Sequence, residues 1–358
     1  MDSNLSIVVL GENDSKKIAA LGFVCACMIV IIHASPRVVS STFARWIIGL
    51  VGADGVCRIA VPYFFLVSGF LLAGRFSDKG WYCTAVRKRV RSIVLPYAIW
   101  IIWGMIVQHL ACKGAAVMGC KIGISDPLSV FKASALGLDP FHNVGYLWYL
   151  RDLFFLVLAS PLFYSALRKY PIAYPAVAFA IYFCYSLAGL EGGRWYDFFE
   201  YFISLRGIAY FILGMSIRLS NIAWQCLANM RRSLIMLLLG GILILCKLRY
   251  LMVGNISVSN GFDCLAVPCL LWGIWALSKY IPVGSRLACF SFHIYLFHPT
   301  FLLLSIAVIT ILGLRFHLDH SLVLSFLRVI FAISMSLIVA KVIKTCSPVM
   351  YKIVFGGR

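Results

Sequence analysis

The chain has 358 residues, 62% of them hydrophobic and 13% charged, with a mean hydropathy of +0.94. Soluble domains are about half apolar and about a quarter charged, so this composition excludes a soluble globular protein and points to an all-α polytopic membrane bundle. The formal net charge of +19 is assigned to cytoplasmic loops; no basic stripe interleaved with aromatics occupies a soluble segment, so nucleic acid is not an expected partner.

A helix needs about 20 mainly apolar residues to cross the hydrocarbon core, and about ten segments qualify. In chain order they lie near 18–36, 57–74, 92–112, 144–166, 171–190, 200–218, 233–253, 262–279, 288–312 and 321–340. The first begins only after Glu12 and Asp14 and reads as a span rather than a cleaved leader. The stretch 43–53 (FARWIIGLVGA) is too short to cross and reads as interfacial or re-entrant. The longest pieces between spans, 75–91 and 113–143, are too small to fold alone, so 1–358 reads as one membrane domain. With these spans, 19 Lys and Arg fall in loops on one side and nine, Lys247 among them, on the other; four more lie within spans, accounting for all 32. That bias places both chain ends in the cytoplasm. The 13 cysteines are mostly within apolar runs, as at Cys25, Cys27, Cys264 and Cys269, and no CxxC pair with metal spacing occurs. They read as small buried hydrophobes.

The four intramembrane arginines are Arg58, Arg151, Arg206 and Arg328, and the same runs hold His33 and His298. A cation in the bilayer core costs at least a few kcal/mol and marks a functional site by default. Asp152 is the one acidic residue expected at comparable depth. At a rise of about 1.5 Å per residue, these groups share the outward half of the bundle, with His298 near the midplane. The bland readings stand beside the functional ones. The arginines could pair with Asp54, Glu200 or Asp263 at the same edge, and His298 could bond a core carbonyl. His33 is the sharper candidate, because it closes a continuous apolar helix (CACMIVIIH) where histidine has no solubility purpose. Imidazole, with an ordinary pKa near 6.5, takes and returns protons near neutral pH. No ligand set for a metal accompanies it. Arg87, Lys88, Arg89 and Arg91 precede LPYAIW. They serve either as a topogenic charge run or as a basic mouth for nucleotide phosphates.

Six stretches in order resemble the integral-membrane acyltransferases of acyltransferase family 3: MIVIIHAS, CRIAVPYFFLVSGFLL, KRVRSIVLPYAIW, GYLWYLRDLFFLVLASPLF, ISLRGIAYFILGMSIR and CFSFHIYLFHP. The WYLRDL form is similar to a branch that includes fucose O-acetylases and enterobacterial-common-antigen O-acetyltransferases. The resemblance implies a multi-pass protein of the bacterial inner membrane. It would move an acyl group, most often acetyl from acetyl-CoA, onto a hydroxyl of a cell-surface glycan, free or lipid-linked. Acetyl-CoA would be a substrate, and no resident cofactor is implied. The resemblance also implies that His33 is catalytic and that Arg58, Arg151 and either Arg89 or Arg91 are functional. Asp152, Arg206, His298 and Arg87 complete the candidate substrate-binding set. The family pattern has an arginine eleven positions before the histidine, where this chain has Gly22; Lys16 and Lys17 are out of register by over a turn.

A transporter, flippase or polymerase for an anionic lipid-linked glycan is the rival reading of the same arginines. No inverted repeat or matched pair of broken helices supports it.

Overall fold

The computed structural model describes residues 7–35, 42–117, 145–188, 203–281, 285–312 and 322–357. Among the described residues every regular element is helical. Hydrocarbon supplies no partner for a backbone N–H or C=O, so a spanning chain satisfies them within its own helix. The main helices are α1 (Glu12–Ala34), α2 (Thr42–Val51), α3 (Ala60–Ala73), α4 (Trp81–Arg89), α5 (Leu95–Val117), α6 (Trp148–Lys169) and α7 (Ala173–Leu187). They continue with α8 (Leu205–Arg218), α9 (Asn221–Ala228), α10 (Met230–Met252), α11 (Ile256–Leu277), α12 (Ser291–Ile311), α13 (Leu322–Cys346) and α14 (Pro348–Val354).

Eight helical stretches among the described residues are long and apolar enough to cross a membrane. They are Glu12–Ala34, Thr42–Ala73, Trp81–Val107, Trp148–Lys169, Met230–Met252, Ile256–Leu277, Ser291–Ile309 and Leu322–Cys346. The fifth and sixth anticipated spans are represented by α7 and α8, of 15 and 14 residues. Both fall short of a full crossing, and they flank 189–202, which lies outside the described residues. Most of 113–143 lies outside them as well. The 43–53 stretch forms α2, a ten-residue helix with no buried side chain, and a turn at 52–55 separates it from the 3-10 turn Val56–Ile59 that leads into α3.

The stretch 75–91, read from sequence as a loop, is largely helical. α4 runs into α5 through a π turn, Val90–Val94. Pro96 explains the π turn: it has no N–H for the carbonyl four residues back and its ring crowds that turn, and a widened turn accommodates both.

Two glycine contacts lock the helix pairs that carry the site. A Cβ on Gly69 would collide with the Phe211 carbonyl, and one on Gly214 with the Leu66 carbonyl, so α3 and α8 meet backbone to backbone and antiparallel. Small residues permit this approach in lipid, where dispersion and packing replace the hydrophobic drive. α10 and α11 are joined the same way, through Gly240 against Leu270 and Gly273 against Leu237. α1 lies against α3, with the Tyr63 hydroxyl donating to the Ile18 carbonyl at 2.6 Å. The Val8 N–H donates to the carbonyl of Arg218, which lies against Gly74 at the end of α3. The N-terminus of α1 therefore shares the basic end of the bundle with Arg75, Lys79, Arg168, Lys169, Arg231 and Arg232, whereas His33 sits toward the other end.

Candidate active site

His33 occupies the last turn of α1 and its side chain is exposed. Its ring lies 5.1 Å, centroid to centroid, from that of His298, with the planes tilted by 36°. His298 is fully buried on α12. Its Nδ1 donates to the Tyr295 carbonyl at 2.7 Å. A carbonyl only accepts, so that bond puts the proton on Nδ1 and leaves Nε2 with a lone pair. Nε2 is buried and has no hydrogen-bond partner among the described residues. The core-carbonyl reading of His298 thus holds for Nδ1, and the ring lies beside that of His33.

Tyrosines pack behind the pair. The Tyr146 ring stands edge-on to His298 at 5.3 Å and to Tyr295 at 5.7 Å. The Tyr295 hydroxyl donates to the Tyr146 carbonyl at 2.6 Å, and that of Tyr146 to the Leu296 carbonyl at 3.1 Å. Tyr149 follows, its ring 5.9 Å from that of Tyr295.

Arg328 holds the end of α1. Its Nε donates to Ser305 at 3.1 Å, and its Nη1 reaches the Ala34 carbonyl at 3.5 Å. The last carbonyls of a helix lack intrahelical partners and carry partial negative charge, so a guanidinium there fixes the turn bearing His33.

The remaining cations gather on three carboxylates, Asp263, Asp54 and Asp152. Arg58 Nε donates to Asp263 Oδ2 at 2.9 Å, and Lys247 Nζ to Asp263 Oδ1 at 2.9 Å. Arg206 Nη2 stands 3.9 Å from Oδ2 of the same residue, and its Nε donates to the Tyr182 hydroxyl at 2.8 Å. Asp54 lies 3.9 Å from Lys247. Three cations thus share one buried carboxylate and a distant, half-exposed one, so positive charge is in excess. Arg151 instead folds onto its neighbour, with Nε and Nη2 donating to Asp152 Oδ1 at 2.9 and 2.8 Å. Asp152 Oδ2 accepts the Ser204 N–H at 2.9 Å. Ser204 caps α8 by accepting from Gly207 N, so the Arg151–Asp152 couple orients the helix that carries Arg206.

Two sequence expectations are corrected here. Asp152 is matched in depth by Asp263, whose side chain is 2% exposed. Lys247, assigned to an outer loop, is also 2% exposed. It lies more than a turn inside α10, which runs on to Met252, and Asp263 supplies the counter-charge that makes burial tolerable. The tyrosine wall was not anticipated, whereas Asp263 was one of the three carboxylates offered to the arginines, and it pairs with Arg58 and stands near Arg206. Tyr146 and Tyr295 are, however, inside the two stretches that resemble the family around Arg151 and His298.

Arg87, Arg89 and Arg91 are not among the cations on Asp263 or Asp152, although Arg89 comes within electrostatic reach of Tyr149 in the tyrosine wall. They lie on α4 and the π turn, where α4 packs on the far part of α6 through the Tyr82 hydroxyl on the Leu158 carbonyl and Trp81 beside Tyr164. Arg87 and Arg91 are exposed, while Arg89 is half-buried within electrostatic reach of Tyr149 and Arg75. Among the described residues no three His, Cys, Asp or Glu side chains gather as for a metal ion. Gly22 is buried in α1, and its missing side chain would meet Phe64 and Tyr63 at ordinary contact distance.

No curated protein and no solved structure matches the chain. A family model described as an acyltransferase domain matches residues 18–344, from α1 into α13, a stretch that includes both histidines and every arginine discussed. That match covers most of the protein, and with the helical membrane architecture it decides for an enzyme over a transporter: the chain belongs to acyltransferase family 3, the membrane-embedded acyltransferases.

Proposed function

We propose that this acyltransferase moves an acetyl group from acetyl-CoA to a hydroxyl of an exported or cell-surface glycan, with His33 as the group that handles the proton. The observation that supports this most directly is the exposed His33 ring lying 5.1 Å from that of a buried histidine whose Nε2 has no partner among the described residues. In this reading His298 stays neutral, its tautomer set by the Tyr295 carbonyl, and its lone pair accepts from one nitrogen of His33. The other nitrogen of His33 then takes the proton of the acceptor hydroxyl. The hydroxyl oxygen attacks the thioester carbonyl, the carbon–sulfur bond breaks, and the departing thiolate recovers the proton from His33. In a covalent route the lone-pair nitrogen of His33 attacks the thioester carbonyl, the carbon–sulfur bond breaks and the thiolate takes the proton from the other nitrogen. The acceptor hydroxyl oxygen then attacks the acetyl-histidine, the carbon–nitrogen bond breaks, and the hydroxyl proton returns to the imidazole.

Arg58 and Arg151 supply positive charge to the oxyanion of the tetrahedral intermediate. Each is already tethered to a carboxylate, so little reorganisation is needed at the moment of reaction. Arg58, bound to Asp263 through Nε and 27% exposed, is the freer of the two to meet substrate. Asp152 and Arg206 line the acceptor side. Arg87, Arg89 and Arg91 receive the nucleotide phosphates at the basic end. The thioester then reaches His33 on the long pantetheine arm of the donor.

The basic end faces the cytoplasm of a bacterial inner membrane in this reading, with about ten spans and both chain termini on that side. Purified protein given acetyl-CoA labelled in the acetyl group, with membrane-derived glycan as acceptor, should release free thiol and label the glycan. Glycan labelled from another acyl-CoA but not from acetyl-CoA would overturn the donor assignment.

A further inference from the structure

A cavity of about 640 Å³ lies between α1, α3, α8, α9 and α11. This is within the range of small-molecule pockets, roughly 300–1,000 Å³. It takes none of the residues of the candidate active site. Its interior is apolar, with Leu66, Leu213 and Pro268 among the lining, and Phe70, Trp224 and Trp275 line it toward the basic end. The three aromatics form one wall, Phe70 stacked on Trp224 at 5.3 Å and Trp224 against Trp275 at 5.3 Å.

Two cations rest on that wall. The Arg218 guanidinium lies over Phe70 at 4.9 Å, and Lys17 Nζ over Trp275 at 5.5 Å. Lys17 is paired with Asp14 at 3.1 Å. Arg218 differs, because its Nε and Nη1 are buried without a hydrogen-bond partner among the described residues. The guanidinium is also pressed against Gly74, where a Cβ would stand only 2.8 Å from Nη2. Buried guanidinium nitrogens left without acceptors are costly, and an acceptor arriving at this rim would satisfy them.

An apolar slot rimmed by aromatics, with an unsatisfied guanidinium at its edge, matches an amphiphile with a hydrocarbon tail and an anionic oxygen-rich head. We propose that this cavity binds one acyl chain of an anionic glycerophospholipid from the leaflet at the basic end, with the headgroup phosphate on Arg218. Tryptophan at the mouth suits the interfacial depth of such a headgroup. A basic flank suits its charge. The site is separate from the acyl-transfer chemistry and does not depend on the proposed donor or acceptor.

The test is native mass spectrometry of the full chain from maltoside micelles doped with phosphatidylglycerol or with phosphatidylcholine of the same chains. One phosphatidylglycerol should remain bound under activation that strips phosphatidylcholine. Arg218→Gln should lower the retained fraction about tenfold, as loss of one charge-assisted hydrogen bond implies. Cys269→Phe, which fills the cavity from its lining, should abolish retention while leaving Arg218 in place. Equal retention of the two lipids by the wild-type chain, or undiminished phosphatidylglycerol binding by Cys269→Phe, would overturn the assignment. Both readouts remain decisive if Arg218→Gln does not fold.

Discussion

Asp263 is the residue on which the ion cluster depends. One carboxylate takes Arg58 and Lys247 at 2.9 Å each and draws in Arg206 at 3.9 Å. Removing its charge strands Lys247, which is 2% exposed, and breaking one side of a buried pair costs about 3–5 kcal/mol. Asp263→Asn should therefore lower thermal stability sharply in detergent, and adding Lys247→Met should recover part of the loss. A double variant no more stable than the single would show that Lys247 is not what Asp263 neutralises. His298 tests a different matter. If its Nε2 serves His33, His298→Phe keeps the shape and removes the lone pair, so turnover should fall about 10²-fold or more with little change in the Michaelis constant. The arginines and histidines stood out in the sequence because cations are rare in apolar runs. Lys247 did not, because near the end of a span a lysine looks like a loop residue until its partner across the helix pair is known.

Helix packing carries that site through glycines. Gly69 and Gly214 bring α3 and α8 into backbone contact, which sets Arg58 and Arg206 near the same carboxylate. Gly214→Leu should force the pair apart, and a reduced yield of monodisperse protein together with a fall in melting temperature would register it. Gly22→Ala is the contrasting case: its Cβ would find Phe64 at 3.9 Å and Tyr63 at 4.0 Å, with no clash. Alanine is favoured over glycine within a helix by about 0.5–1 kcal/mol, so this change should hold or raise the melting temperature. A large fall would mean that the space beside Gly22 is occupied in the folded protein. Hydropathy located the long helices because burial in lipid demands length and apolarity. It did not locate the start of α4, since Arg87, Lys88 and Arg89 interrupt the apolar run while the backbone stays helical. Nor does hydropathy say which helices touch; that depends on a few glycines whose partners are far away in sequence.

At the level of the whole molecule, the helix directions divide the loops between two faces, one of them richer in Lys and Arg. Asp78, between α3 and α4, and Asn229, between α9 and α10, belong to the basic end, whereas Gly254, between α10 and α11, belongs to the opposite one. Single cysteines placed at these three positions in a background lacking reactive thiols should label from the cytoplasmic side at 78 and 229 and from the outer side at 254. Labelling of 78 and 254 from one side would contradict this topology. The presence of cations within the apolar runs was readable before the structure. The pairing of His33 with His298 was not, because it joins α1 to α12 across most of the chain. The most direct measurement is the acetyl content of surface glycans, by mass spectrometry, from cells lacking the gene and complemented with either the wild-type chain or His33→Ala at matched membrane abundance. Loss of the acetyl mass increment with His33→Ala, and its return with the wild-type chain, is the outcome predicted; acetylation undiminished by His33→Ala would contradict a proton-handling role for this histidine.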